Sequence, residues 1–186
     1  MKEQELIIPI VMAFIALLLI FKAVIMVTEQ SAYIIERFGK FNRTAHSGLG
    51  FIIPFVDRKA AAVNLRVQQL DVTIETKTKD DVFVNLQVSV QYSVVRTMVK
   101  EAYYSLENPK NQISSYVFDD VRAEVPKLDL DDVFAKKDDI ANAVQKNIAQ
   151  SMDKYGYSIV KALITDIDPD HKVKESMNRI NAAKRE

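Results

Sequence analysis

Residues 81–94, Asp-Val-Phe-Val-Asn-Leu-Gln-Val-Ser-Val-Gln-Tyr-Ser-Val, decide the fold class. Val82, Val84, Leu86, Val88, Val90, Tyr92 and Val94 alternate with Asp81, Asn85, Gln87, Ser89, Gln91 and Ser93, and only Phe83 breaks the polar side. A period of two places one set on each face of a strand, so one face meets a core and the other meets water or a partner. Upstream, Thr78-Lys79-Asp80-Asp81 reads as a hairpin connection to a second extended stretch, Ala60 to Ile74, whose mixed patterning leaves its faces open. A third strand, Glu29 to Phe38, is rich in Tyr, Ile and Ala and ends at a Gly39-Lys40 turn.

Downstream the period changes. Val99, Ala102, Tyr103 and Leu106 fall on one helical face, and Asn108-Pro109 is a cap followed by a first-turn proline. That proline opens a helix whose buried stripe is Ile113, Val117 and Val121, closed by Pro126. Asp129 or Asp131 is expected to cap the next helix, which carries Ile140, Val144, Ile148 and Met152 at one-turn spacing. Gly156 stands where a left-handed residue would end it. Tyr157 to Ile167 returns to a strand, and Asp168-Pro169-Asp170 is read as the start of a last, polar helix running to Glu186. Strands, then helices, then one strand describe an α+β domain with a mainly antiparallel sheet.

Ahead of these strands lies an apolar segment. Leu6 to Phe21 carries no charge, and the run resumes after Lys22 as Ala23 to Val27. About 20 apolar residues cross the ~30 Å hydrocarbon core, and a lysine near a helix end can reach the headgroups. The expectation is a single transmembrane helix with Leu6, Ile10, Phe14, Leu17, Leu18 and Phe21 within the lipid. A cleaved signal peptide fits less well, because Lys2, Glu3 and Glu5 make no basic leader and no small-residue cleavage site follows. Lys22, Arg37, Lys40 and Arg43 follow the span while only Lys2 and the terminal amine precede it, which places the bulk of the chain in the cytoplasm.

Composition argues against several function classes. Lys+Arg and Asp+Glu number 25 each in 186 residues, so no net basic field draws the chain to nucleic acid. Cysteine is absent, which removes disulfides and thiol chemistry. His46 and His171 lie far apart and outside any zinc motif, so no metal and no cofactor is expected. With four glycines in the chain and neither a nucleophile elbow nor a phosphate loop, no catalytic residues emerge and the chain reads as a non-enzyme. Asp131-Asp132 and Asp138-Asp139 sit where caps and helix-dipole partners are expected.

Two local features remain. Cations dominate between Glu36 and Arg66 (Arg37, Lys40, Arg43, Arg58, Lys59 and Arg66 against Glu36 and Asp57), whereas anions dominate between Asp119 and Asp139. The basic part is either an ordinary solvated face or one that meets anionic headgroups through Arg37, Lys40, Arg43, Arg58 and Lys59. Residues 48–57, Gly-Leu-Gly-Phe-Ile-Ile-Pro-Phe-Val-Asp, hold an unbroken apolar run, Phe51, Ile52, Ile53, Pro54, Phe55 and Val56. This run either fills a core between strands or presses into the near leaflet, and residue physics alone leaves both open.

Residues 27–41, Val-Thr-Glu-Gln-Ser-Ala-Tyr-Ile-Ile-Glu-Arg-Phe-Gly-Lys-Phe, resemble the entry to the SPFH domain of stomatins, prohibitins and bacterial slipins. Residues 48–58 resemble that family's hydrophobic loop. Leu65-Arg66, Leu70-Asp71-Val72, Thr78-Lys79-Asp80, Arg122, Leu130-Asp131, Asp166-Ile167-Asp168-Pro169 and Met177 to Ala183 look like its later blocks, nearest the stomatin/slipin branch. The resemblance implies a scaffold in the bacterial inner membrane that forms rings or cages with itself or a paralogue. Such a scaffold defines lipid microdomains and associates with membrane proteases or channels. It also implies that residues 51–56 dip into the leaflet. The expected domains are an anchor (1–27), two SPFH subdomains (28–96 and 97–169) and the start of a coiled-coil helix (170–186). A reading of another class is a small tethered adaptor that recruits one protein without large assembly.

Overall fold

The computed structural model describes residues 2–170, 173–176 and 179, with side chains from Val11 onward. Helix α1 (Lys2–Ala23) leads directly into strand β1 (Val24–Val27). Strands β2 (Ser31–Arg37), β3 (Lys40–Ala45), β4 (Gly48–Phe51), β5 (Asp57–Asn64), β6 (Gln68–Lys77) and β7 (Phe83–Val94) follow. Then come helices α2 (Val99–Tyr104), α3 (Pro109–Glu124), α4 (Leu130–Ala135) and α5 (Lys137–Met152), and strand β8 (Tyr157–Pro169). Every strand pairing is antiparallel: β1 with β4, then β3-β2-β5, then β6-β7-β8. The architecture is α+β, as the change of period implied.

The core grows from the alternation in β7. Val84, Leu86, Val88, Val90 and Tyr92 are almost wholly buried, together with Ile74 of β6 and Ala162 of β8. Against that face pack Ile113, Val117 and Val121 of α3 and Ile140, Val144, Ile148 and Met152 of α5, the two stripes read from the sequence. Ala32 and Ile34 of β2 join the same core, which ties the β3-β2-β5 sheet to the helical layer. Each such aliphatic side chain contributes ~1.5–3 kcal/mol by leaving water. β7 and β8 fall on opposite sides of the expected subdomain boundary at residue 96, yet they share one sheet.

Several boundaries differ from the sequence reading. The stretch Ala60 to Ile74 is two strands, broken at Leu65-Arg66-Val67 where the chain passes from one sheet to the other. Residues 40–51, read only as a turn and a loop, form β3 and β4. Their hydrogen bonds come from β2 and β1, partners that strands of six and four residues do not announce. β7 starts at Phe83, because Thr78 to Asp81 close a turn in which Asp81 is left-handed (φ 67°) and Thr78 N–H donates to the Val82 carbonyl. β8 extends through Pro169, so the last helix begins later than Asp168, with Val173 N–H donating to the Asp170 carbonyl. The expected coiled-coil continuation beyond Arg179 lies outside the described residues.

The single helix expected from Asp129 or Asp131 to Met152 is two, α4 and α5, parted at Lys136, and the capping of the first is the clearest correction. Asp129 is the N-cap residue, but its side chain accepts no capping bond. The acceptor is Asp80, on the β6–β7 turn, whose Oδ1 takes the Leu130 N–H at 3.1 Å and the Thr78 hydroxyl at 2.6 Å. Lys79 N–H also donates to the Leu128 carbonyl, so the turn is bolted to the start of α4. The Thr78 hydroxyl, first, and the backbone N–H groups hold the Asp80 carboxyl below the usual carboxylate range. Asp80→Ala is expected to cost about 1–2 kcal/mol, as loss of a helix cap does, while Asp80→Asn keeps an acceptor and costs less. Urea unfolding of the two variants checks this; equal losses would mean that charge, not capping, is what matters.

Candidate functional site

The end of the sheet nearest α1 gathers the residues that the sequence singled out. The Ile52 N–H donates to the Ala23 carbonyl at 2.7 Å, so the apolar loop satisfies a backbone group at the C-terminus of α1. β1 pairs with β4 so that Val24 faces Phe51, which sets the loop at the base of the helix. Ile52 turns inward onto a small cluster of Val27, Ile35 and Ala45. Phe51, Ile53 and Phe55 turn outward, and Phe55 is 87 % exposed. The run is thus divided: Ile52 packs inward, as a core-filling segment would, while Phe51, Ile53 and Phe55 face out.

The cations take specific partners. Arg37 makes a two-pronged contact with Asp57, at 2.8 and 3.2 Å, and Asp57 also accepts the Ile53 N–H at 3.0 Å. The Arg37 guanidinium, then that N–H, hold the Asp57 carboxyl below its ordinary range. Arg43 donates to the Phe51 carbonyl. Lys59 places its ammonium 3.5 Å from the centre of the Tyr33 ring. Arg58 donates to Glu36 at 2.9 Å. Among the described residues Lys40 has no ion-pair partner. The five cations proposed from sequence therefore lie on one sheet, but four of them already brace it.

Glu36 links this sheet to the helices. It is 8 % exposed, and the Tyr104 hydroxyl of α2 donates to its second carboxylate oxygen at 2.7 Å. Tyr104, then Arg58, hold the Glu36 carboxyl low. Burial, then the Glu36 carboxylate, push the Tyr104 hydroxyl up to about 12. A carboxyl that titrates lower in the folded chain adds stability above its unfolded range and loses it as pH falls through the folded value. Glu36, Asp57 and Asp80 all have this sign. The thermal midpoint is expected to fall steadily below about pH 5, and Glu36→Gln should flatten that slope; an unchanged slope would remove Glu36 from the acid-sensitive set.

The side chains of α1 are described only from Val11 onward. Among the described residues no helix is long and apolar enough to cross a membrane. From Val11 to Ala23, where side chains are described, α1 covers on the order of 20 Å at 1.5 Å per residue. Phe14, Leu17, Leu18 and Phe21 are exposed on it, whereas the side chains of Leu6 and Ile10 lie outside the described residues. Among the described residues no group of three or more His, Cys, Asp or Glu side chains is placed to hold a metal. His171 lies outside them.

The SPFH domain / Band 7 family profile matches residues 25–186. The chain belongs to the SPFH domain / Band 7 family. Hypersensitive-induced response protein 4 of Arabidopsis thaliana is 46% identical over 160 residues, covering 86% of this chain and 55% of that protein. Human stomatin-like protein 2, mitochondrial, is 31% identical over 155 residues, covering 83% and 43%. An uncharacterized protein of Methanothermobacter thermautotrophicus is 28% identical over 180 residues, covering 96% and 56%. The chain thus spans about half the length of the curated relatives it matches. SPFH membership is what the resemblance of residues 27–41 and 48–58 implied.

Sequence reasoning missed three connections here: Asp80 to α4, Tyr104 to Glu36, and Arg43 to the loop carbonyl. The first two join positions 50 and 68 residues apart and the third positions 8 apart, and no local period marks any of them.

Proposed function

We propose that this SPFH chain is a membrane-anchored scaffold, held by α1 and by the loop 51–56, that assembles with further copies or a paralogue to organise the lipid around it. The observation that carries the reading is the joint between Ala23 and Ile52, which sets the outward Phe51, Ile53 and Phe55 beside the end of the apolar helix. The backbone of α1 has 22 residues, about 33 Å at 1.5 Å each, and its sequence from Leu6 to Phe21 is uncharged. Both support a single span, and the cations that follow it, Lys22, Arg37, Lys40 and Arg43, favour the folded bulk on the cytoplasmic side. Lys40, and the outer atoms of Arg37 and Arg58, supply positive charge at the headgroup level, on the order of 1 kcal/mol per cation on an anionic surface. A membrane-bound protease or channel is the partner class that the family resemblance implies.

Assembly is tested by extracting the full chain in mild detergent and measuring particle mass by light scattering, with electron microscopy of the same sample. A particle of many copies is expected. A monomer or dimer with α1 intact would instead favour an adaptor that recruits one partner.

A further inference from the structure

We propose that the β2–β3 hairpin tip, Phe38-Gly39, is a second point of lipid contact, so that the domain rests on the near leaflet through two aromatic-tipped turns. The proposal deepens the leaflet reading of residues 51–56 and rests on it. The sheet register places the two turns side by side. Arg37 pairs with Lys40 across one turn and with Asp57 across the other strand, so Phe38 follows a residue whose neighbour ends the Phe55-Val56 turn. The Arg37–Asp57 ion pair locks the two together.

Both tips share an unusual construction. Phe38 and Phe55 are the most exposed large apolar residues among those described, at 81 % and 87 %. Both also have left-handed backbone, with φ of 50° and 68°. Phe38 and Gly39 each have positive φ, the geometry of a two-residue turn that asparagine or glycine fills at little cost and a phenylalanine does not. A residue that burdens its own turn and packs on nothing needs an outside surface to account for it. Three observations say which surface. The tip adjoins Arg37, whose partner Asp57 accepts the Ile53 N–H one residue from the Ile52–Ala23 bond to α1; the exposed apolar residues Val24, Phe51, Ile53 and Phe55 share that end; and Lys40, without an ion-pair partner among the described residues, follows Gly39. An apolar point flanked by Arg37 and Lys40 fits a bilayer carrying anionic lipid.

The chain lacks cysteine, so a single introduced one can be labelled without further change. Phe38→Cys, Phe55→Cys and Phe83→Cys variants that keep α1, each carrying an environment-sensitive fluorophore, would be placed in phosphatidylcholine–phosphatidylglycerol bilayers. Phe83 is the control, exposed and outside this end of the sheet. We expect the labels at 38 and 55 to shift to the blue and to lose most of their emission when the lipids are brominated near the headgroup end of the acyl chain. The label at 83 should do neither. If the label at 38 behaves as the one at 83 while that at 55 is quenched, the second contact is wrong and the leaflet loop stands. If neither is quenched, the leaflet reading itself fails, and this inference with it. A blue shift at 38 without quenching by brominated lipid would assign the tip to a contact between copies and overturn the proposal. Phe38→Asn should leave the thermal midpoint in detergent unchanged or higher; a marked fall would make Phe38 a packing residue, against the proposal.

Discussion

Replacing Gly156 by alanine is expected to lower the thermal midpoint by roughly 5–15 °C. Gly156 has φ of 79°, and a Cβ built there would lie 2.6 Å from the Met98 carbonyl oxygen and 2.9 Å from the Met98 Cβ. The left-handed conformation costs an L-residue ~1–2 kcal/mol, and forcing a methyl against rigid backbone adds ~1–3 kcal/mol. For a domain of this size each kcal/mol moves the midpoint by about 2–4 °C. The surroundings give little room to yield, because the Gly156 carbonyl accepts the Val95 N–H at 2.9 Å and so pins the end of β7 to the start of β8. Gly39 provides the control. Its φ is 77° but nothing lies within 4 Å of its added Cβ, so Gly39→Ala should incur only the conformational part. Equal shifts for the two variants in differential scanning calorimetry would show that the Met98 contact yields freely.

The second large effect concerns attachment. A chain starting at Val24 is expected to sediment with vesicles containing phosphatidylglycerol, and Phe51→Asp with Phe55→Asp should leave it in the supernatant. Each phenylalanine can bury on the order of 150–250 Å², worth ~4–6 kcal/mol at about 25 cal/mol per Å². Even half of that for each ring, lost twice over, corresponds to roughly a 100-fold or greater drop in partitioning, and each aspartate adds repulsion from the anionic surface. Because both side chains face outward, the double variant should match the parent in circular dichroism and thermal midpoint. Undiminished sedimentation of the double variant would remove the loop from the membrane contact. If the shortened parent itself stays in solution, α1 alone carries the attachment.

The secondary structure was legible wherever burial is one-sided and continuous. Strand β7 announces itself because side-chain direction along a strand is fixed by the backbone, so the buried Val84, Leu86 and Val88 must alternate with polar residues. The α3 and α5 stripes are legible for the same reason at the helical period. The Asn108 cap is legible because it acts three residues away, its Oδ1 accepting the Asn111 N–H. Strands β3 and β4 were not. They are short, edge-bound and held by backbone bonds that carry no side-chain pattern.

The candidate site divides in the same way. The run from Phe51 to Val56 is visible as composition, yet composition does not say that Ile52 packs inward while Phe51, Ile53 and Phe55 point out. By itself the sequence determined the α+β class, the core faces, the two apolar segments and the family. The tertiary structure decided which cations stay free, where Asp80 and Glu36 find their partners, and that the turns of Phe38 and Phe55 adjoin through the Arg37–Asp57 pair. The physical reason is range. Periodicity and capping act within a turn or two of the chain, whereas a carboxylate or an exposed ring takes its meaning from neighbours that only folding supplies.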